Sequence, residues 1–272
     1  MLSEPKFLYH YTTVEKLALI LKKQRIMFSP LTALDDKQEE EAEDTENFAK
    51  YVFISSWTRA NKESIPMWKI YSDLYCGVRI KLPVCPFKEY IYDTEEYIKC
   101  NPMVLPIDTP KVKLIIPIEE VSKPYYIVPQ FNKKSLLWNV SYTKKSEELK
   151  PAVKQLITDR IAINLTQLGH HKNQYWDFQN EWRYILFFNP VSINEIKSNN
   201  VLQTALNRFR DNNYTLPFRN YFLMIDDSSF LKMQITLSPK ITEGNRTIVE
   251  LLKNEYNKNM KIRESKLINT IR

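Results

Sequence analysis

Four stretches of this chain set polar, chemically capable residues inside otherwise apolar, strand-like runs. They are YHYT at 9–12, LDDKQE at 34–39, FISSWTR…PMWKIYSDLYCGVRIKL across 53–82, and QNEWRYILFF at 179–188. His10 interrupts the first of them and is one of only three histidines. It is either a strand histidine satisfied by its neighbours or a ligand contact: an imidazole can hold a hydroxyl, and the Thr12 hydroxyl can add a second bond. Glu181 and Arg183 stand at i, i+2 and so share one strand face, as an ion pair or as a carboxylate set beside chemistry. Arg59 and Arg183 are guanidinium groups, able to grip a phosphate bidentately. Trp57, Trp68 and Tyr71 offer ring faces for a flat ligand, although Trp68 and Tyr71 at i, i+3 on a helix suit core packing equally well. His170 and His171 adjoin each other without a third ligand, so a turn fits them better than a metal site. Cys76, Cys85 and Cys100 form no CxxC pair; they read as reduced thiols, with no disulfide frame and no metal expected.

These residues need elements to hold them. Phe7–Tyr11 reads as a strand, with Thr12 or Thr13 capping a helix whose buried stripe is Leu17, Ile20 and Leu21. RIMFSP is a short strand, and the acidic run after it reads as a helix or loop with a solvated face, or as a docking face. YVFISSWTR is a strand, SIPMWKIYSDLY a short helix with Met67, Ile70, Tyr71 and Leu74 on one side, and CGVRIKLP another strand. Beyond residues 83–135, which hold broken strands such as KLIIPI and YYIVP, WNVSYT is a strand. The spacing of Val153, Leu156, Ile157, Ile161 and Leu165 predicts one long amphipathic helix over 147–168. WRYILFF, YFLMIDD and KMQITLSP are strands, GNRTIVELLKNEYNKNM is a capped helix, and the basic last dozen residues read as loose. Strands and helices mix without regular β-α alternation, so the expected class is α+β: one domain over 1–272 of split, mostly antiparallel sheets with flanking helices.

Composition narrows the function. With 43% hydrophobic and 12% aromatic residues in 272, the chain is globular. Only three glycines occur, with no GxGxxG and no P-loop, which excludes the usual glycine-rich nucleotide sites. A net charge of +7 reads either as a Lys-rich drift of composition or as contact with a polyanion, nucleic acid before membrane. No apolar run spans a membrane and no signal peptide opens the chain, so a cytoplasmic location is expected.

The order and spacing of the four stretches, with LSPKITEGNRTIVELL at 237–252, resemble a widespread bacterial family of unknown function. Its members read Tyr-His-Tyr-Thr, then Leu-Asn-Asp-Pro-x-Glu, then Phe-Ser…Met-Trp-x-x-Tyr…Gly, then Glu-x-Arg. Asp36 and Glu39 match, whereas Asp35 and Lys37 replace the family's Asn and Pro. Segments near 83–135 and 191–220 lie outside the resemblance and read as insertions, the second with its own helix. That family looks like an outlying branch of the ADP-ribosyltransferase superfamily, which splits NAD+ at the nicotinamide–ribose bond.

The resemblance implies an ADP-ribosyltransferase-like fold, NAD+ as substrate, and a role as a toxin or phage-defence effector, with an antitoxin protein as an expected partner. It places the catalytic groups on Glu181, His10 and Tyr71. NAD+ contacts fall on His10, Tyr11, Thr12, Ser55, Trp57, Arg59, Trp68 and Arg183. Bond cleavage builds oxocarbenium charge on the ribose, which a carboxylate such as Glu181 stabilises. The basic, aromatic stretch 133–145, with Lys133, Lys134, Lys144 and Lys145, suits single-stranded nucleic acid as acceptor, RNA before DNA. Two other classes stay open: a non-catalytic nucleic-acid or partner-binding module, and a nuclease-type defence effector using Asp35, Asp36 and Glu39.

Overall fold

The computed structural model describes residues 5–44, 46–100, 109–120, 123–128, 133–157 and 160–271. β1 (Phe7–Thr13) runs directly into α1 (Val14–Lys23). Thr13 is the cap: its hydroxyl accepts from the Lys16 N–H at 3.3 Å, satisfying a donor the first turn leaves free. Val14, Leu17 and Leu21 form the buried stripe, while Ile20 is only half-buried. Gln24 ends the helix in the left-handed region, at φ 47°, and β2 (Arg25–Pro30) follows.

The acidic run forms short 3-10 turns at Lys37–Glu40 and Ala49–Tyr51. It is more than a solvated face. Glu39 and Glu46 are buried because each is claimed by two cations, Glu39 by Lys172 and Arg183, Glu46 by Lys154 and Arg210.

β3 (Val52–Thr58), α2 (Ile65–Tyr71) and β4 (Gly77–Pro83) match the expected order. The face of α2 differs from expectation. Trp68 and Ser72 turn into the core, Met67 and Tyr71 are half-buried, and Ile70 is exposed. Trp68 sets this rotation: its ring meets Tyr11 edge-on at 4.9 Å, and its indole N–H donates to Glu63 at 3.0 Å. A Cβ at Gly77 would stand 2.3 Å from the Asp73 carbonyl oxygen, so only glycine starts β4 this close to the end of α2.

Within 83–135, β5 (Tyr90–Asp93) and β6 (Lys111–Leu114) pair around α3 (Thr94–Cys100), over a small separate core of Tyr97, Val112, Leu114 and Ile118. β7 (Tyr126–Ile127), β8 (Leu137–Asn139) and β9 (Ser141–Thr143) come next.

The long helix expected over 147–168 is absent. One turn, α4 (Ser146–Leu149), gives way to the antiparallel hairpin β10 (Lys154–Ile157) and β11 (Arg160–Ile163). Pro151 has no N–H to donate and biases Lys150 away from helical geometry. Asp44 takes the Val153 and Lys154 N–H groups at 2.5 and 3.0 Å, which fixes the start of the hairpin. Leu156 and Ile161, counted in the helical stripe, are exposed; residues 158–159 and the Ile157 side chain lie outside the described parts.

β12 (His171–Asn173) pairs in parallel with β9, and β13 (Glu181–Asn189) is the buried strand that sequence indicated. Residues 191–220 carry α5 (Ile193–Ile196) and α6 (Val201–Arg210). The chain closes with β14 (Tyr221–Met224), α7 (Asp227–Leu231), β15 (Gln234–Leu237), α8 (Glu243–Tyr256) and β16 (Lys261–Arg263). The basic tail is not loose. β16 pairs in parallel with β15, and Glu63 accepts from the Ser265 hydroxyl and the Lys266 N–H.

The class is mixed α and β, with one main, mostly antiparallel sheet in the order β14-β2-β3-β1-β4-β15-β16 and β13 added along β3. The sheet splits in its middle. β1 pairs with β4 over its whole length, and β3 pairs with β13 likewise, but β1 and β3 share only Tyr9↔Thr58. Beyond that point the two strands diverge. Among the described residues no helix is long and apolar enough to cross a membrane.

Candidate functional site

The divergence of β1 from β3 opens a cavity of about 380 Å³. One wall is β1, through Tyr9, His10, Tyr11 and Thr12; the facing wall is β3, through Ile54, Ser55, Ser56 and Trp57. α2 contributes Met67 and Tyr71, the start of β13 contributes Glu181, and β12 contributes Lys172. Residues from all four sequence stretches therefore meet in one place.

His10 bridges the split. Its Nδ1 lies 2.9 Å from the Ser56 carbonyl oxygen, which can only accept, so Nδ1 carries the proton and Nε2 is left as an acceptor. Burial lowers the imidazole pKa, and the Lys16 charge adds to this against the Ser56 bond, so the neutral form is favoured. The ring packs on Trp57 at 5.1 Å. Trp57 donates to the Ser55 hydroxyl at 3.1 Å, leaving that hydroxyl's own proton to donate elsewhere. Thr12 is buried on the same wall.

Glu181 sits in a buried network of four charges. Arg183 donates to it twice, Nε at 2.8 Å and an NH2 nitrogen at 2.9 Å, and Lys172 Nζ lies 3.4 Å away. Arg183 and Lys172 also reach the two oxygens of Glu39. Two carboxylates and two cations leave the group neutral overall, which is what charges this deeply buried require. Burial alone would raise the Glu181 pKa, but Arg183 and Lys172, with hydrogen bonds from Arg183 and Ser56, hold it well below the ordinary carboxylate range. The Glu181 N–H donates to Tyr142 Oη at 2.8 Å, fixing the first residue of β13. Gly169, at φ +82°, takes a conformation open to glycine and offers its carbonyl to Arg183 at 3.1 Å.

Tyr71 accepts from Gln179, and burial together with Asp35, Glu181 and Glu39 raises its pKa, so it stays a phenol. It therefore keeps a proton to donate into the cavity.

Three expected ligand contacts are not at the cavity. Trp68 is fully buried, committed to Tyr11 and Glu63. Arg183 is fully buried behind Glu181, so it orients that carboxylate. Arg59 stands past the end of β3, and neither it nor Arg183 lines the cavity. Lys134, Lys144 and Lys145, which the sequence assigns to an acceptor and not to NAD+, do not line the cavity; Lys145 pairs with Glu148 at 3.0 Å, and the Lys133 side chain lies outside the described residues. His170 packs edge-on against Trp138 at 3.9 Å, beside the turn at Leu168 and Gly169. Burial first, then His171, lowers its pKa to about 4. Among the described residues no cluster of three or more His, Cys, Asp or Glu is placed to hold a metal ion.

Sequence reasoning missed Lys172 and the α1 cations Lys16 and Lys23, which line the cavity, while Asp35, considered only as a nuclease carboxylate, and Gln179, the first residue of the fourth stretch, line it as well. Lys16, Ile20 and Lys23 recur at helical spacing directly after YHYT, which was the available signal. Lys172 gave none, because its position depends on β12. Compared with known proteins, the chain matches no family model, no curated protein and no solved structure.

Proposed function

We propose that this chain is an ADP-ribosyltransferase that cleaves NAD+ at the nicotinamide–ribose bond and transfers ADP-ribose to nucleic acid, RNA before DNA, as a toxin or defence effector. One observation carries the reading. His10, Thr12, Tyr71 and Glu181, far apart in sequence, line a single cavity at the split of the sheet. His10 Nε2 accepts from a ribose hydroxyl, and Thr12 adds a second contact. Trp57 and Tyr71 offer faces to the nicotinamide ring. As nicotinamide leaves, positive charge grows on the ribose, and ionised Glu181 stabilises it from a pre-set position. The Lys172 contact to Glu181, the longest of its bonds at 3.4 Å, is the one a ribose hydroxyl would replace. The neutral network keeps Glu181 charged without mobile counterions.

Nicotinamide release from NAD+ tests this. Wild-type protein should release it, and Tyr71→Phe, which keeps the ring but removes the hydroxyl proton, should slow release. No release by wild type with any RNA, DNA or protein acceptor would contradict the reading.

A further inference from the structure

The cavity has a basic mouth that the reading above leaves unused. α1 brings Lys16, Leu19 and Lys23 to it, β2 brings Arg25 and Met27, and β14 brings Phe222. Lys16 and Lys23 are exposed, as are the apolar Leu19 (61%), Met27 (42%) and Phe222 (36%). Among the described residues none of the three cations has a carboxylate partner at ion-pair distance, in contrast to Lys172 and Arg183 deeper in. The Arg25 guanidinium covers the Phe222 ring at 3.7 Å.

We propose that this mouth is the track along which a single-stranded nucleic acid, the acceptor, crosses the cavity. Lys16 and Lys23 are seven residues apart on one helix, so they are separated by about 10 Å along its axis. That spread suits successive phosphates of a strand better than the two adjoining phosphates of one pyrophosphate. Phe222 also borders a second hollow of about 520 Å³, to which Tyr90 and Phe218 bring half-buried rings. A row of cations followed by rings is the pattern that binds single strands, charge for the backbone and flat faces for bases. An acidic peptide would answer the cations but leave the rings unused. The inference rests on the transferase reading only for what the strand does there.

The test uses the full chain and a labelled oligoribonucleotide of about 12 nucleotides. Anisotropy gives its affinity across a salt series, and NAD+ turnover without acceptor is measured alongside. Lys16 is left in place because its charge acts on His10. In Lys23→Ser/Arg25→Ser the salt slope should fall by about 1.4, two single-strand phosphate contacts. Phe222→Ala should weaken binding about fivefold or more, and Phe222→Trp should restore it. Acceptor-free NAD+ turnover should be unchanged in all three. An unchanged slope and affinity would overturn the track. So would a raised KM for NAD+ with intact oligonucleotide binding, which would assign the cations to the pyrophosphate, or duplex bound as tightly as single strand. If wild type binds the strand through these residues but never consumes NAD+, the transferase reading fails and the track stands.

Discussion

Replacing Glu181 by Gln keeps the shape of the side chain and removes one charge from the buried network. Arg183 and Lys172 then share only Glu39, so the deeply buried group carries a net positive charge. Removing one partner of a buried pair costs about 3–5 kcal/mol. For a chain of this size that is a fall in Tm of about 10 °C. The structure also supplies a remedy. Adding Lys172→Met removes the surplus charge and leaves Arg183 paired with Glu39, so Glu181→Gln/Lys172→Met should recover most of the lost stability. It should not recover chemistry, because the carboxylate is still missing: nicotinamide release should stay down by about 10²-fold or more in both variants. Thermal melts and release assays, run well below the lower Tm, separate the two effects. A Glu181→Gln protein melting within about 2 °C of wild type would refute the energetic account of the network. Recovery of turnover by Lys172→Met would refute the role given to Glu181.

Other outcomes follow from the same geometry. His10→Ala loses one hydrogen bond to Ser56, about 1 kcal/mol, so its Tm should move little while NAD+ affinity falls in calorimetry; a large Tm fall with unchanged affinity would make His10 a structural residue only. Trp68→Ala empties a fully buried site and should cost about 3–5 kcal/mol in denaturant unfolding, whereas a variant with near wild-type stability would place that ring outside the core. The His10 pKa is lowered in the fold, so its neutral form persists below the ordinary value near 6.5. NAD+ affinity should therefore hold flat from pH 8 through that value and decline only at lower pH, and a decline already complete by pH 7 would contradict the buried neutral imidazole. The depressed pKa of Glu181 has the same sign for stability: its contribution is full above the ordinary carboxylate pKa and is lost as pH falls through the lowered one.

Much of the frame was legible because local rules and tertiary demands agreed. FLYHYTT followed by a threonine-capped stripe gave β1 and α1, and the long apolar run WRYILFF gave β13. The 147–168 helix failed because five apolar residues fit a 3.6 period by coincidence, while Pro151 and the β-branched isoleucines favoured a hairpin held by Asp44. The solvated reading of the acidic run failed for Glu39 and Glu46, since their cations come from residues more than 100 positions away. The candidate site was partly legible. His10, Thr12, Ser55, Trp57, Tyr71 and Glu181 reach one cavity, but one position on a strand or helix decides between lining and burial. Trp68 directly follows the lining residue Met67 and is buried, and Arg183, two residues beyond Glu181, is buried behind it.

The most direct measurement is a crystal structure of the protein with NAD+ bound, using Tyr71→Phe to slow turnover. The account predicts nicotinamide ribose density between β1 and β3, a ribose hydroxyl within hydrogen-bond distance of His10 Nε2, the Glu181 carboxylate facing the ribose, and the nicotinamide ring against Trp57 or the ring at 71. NAD+ bound elsewhere, or a cavity that excludes it at concentrations where nicotinamide is released, would contradict it.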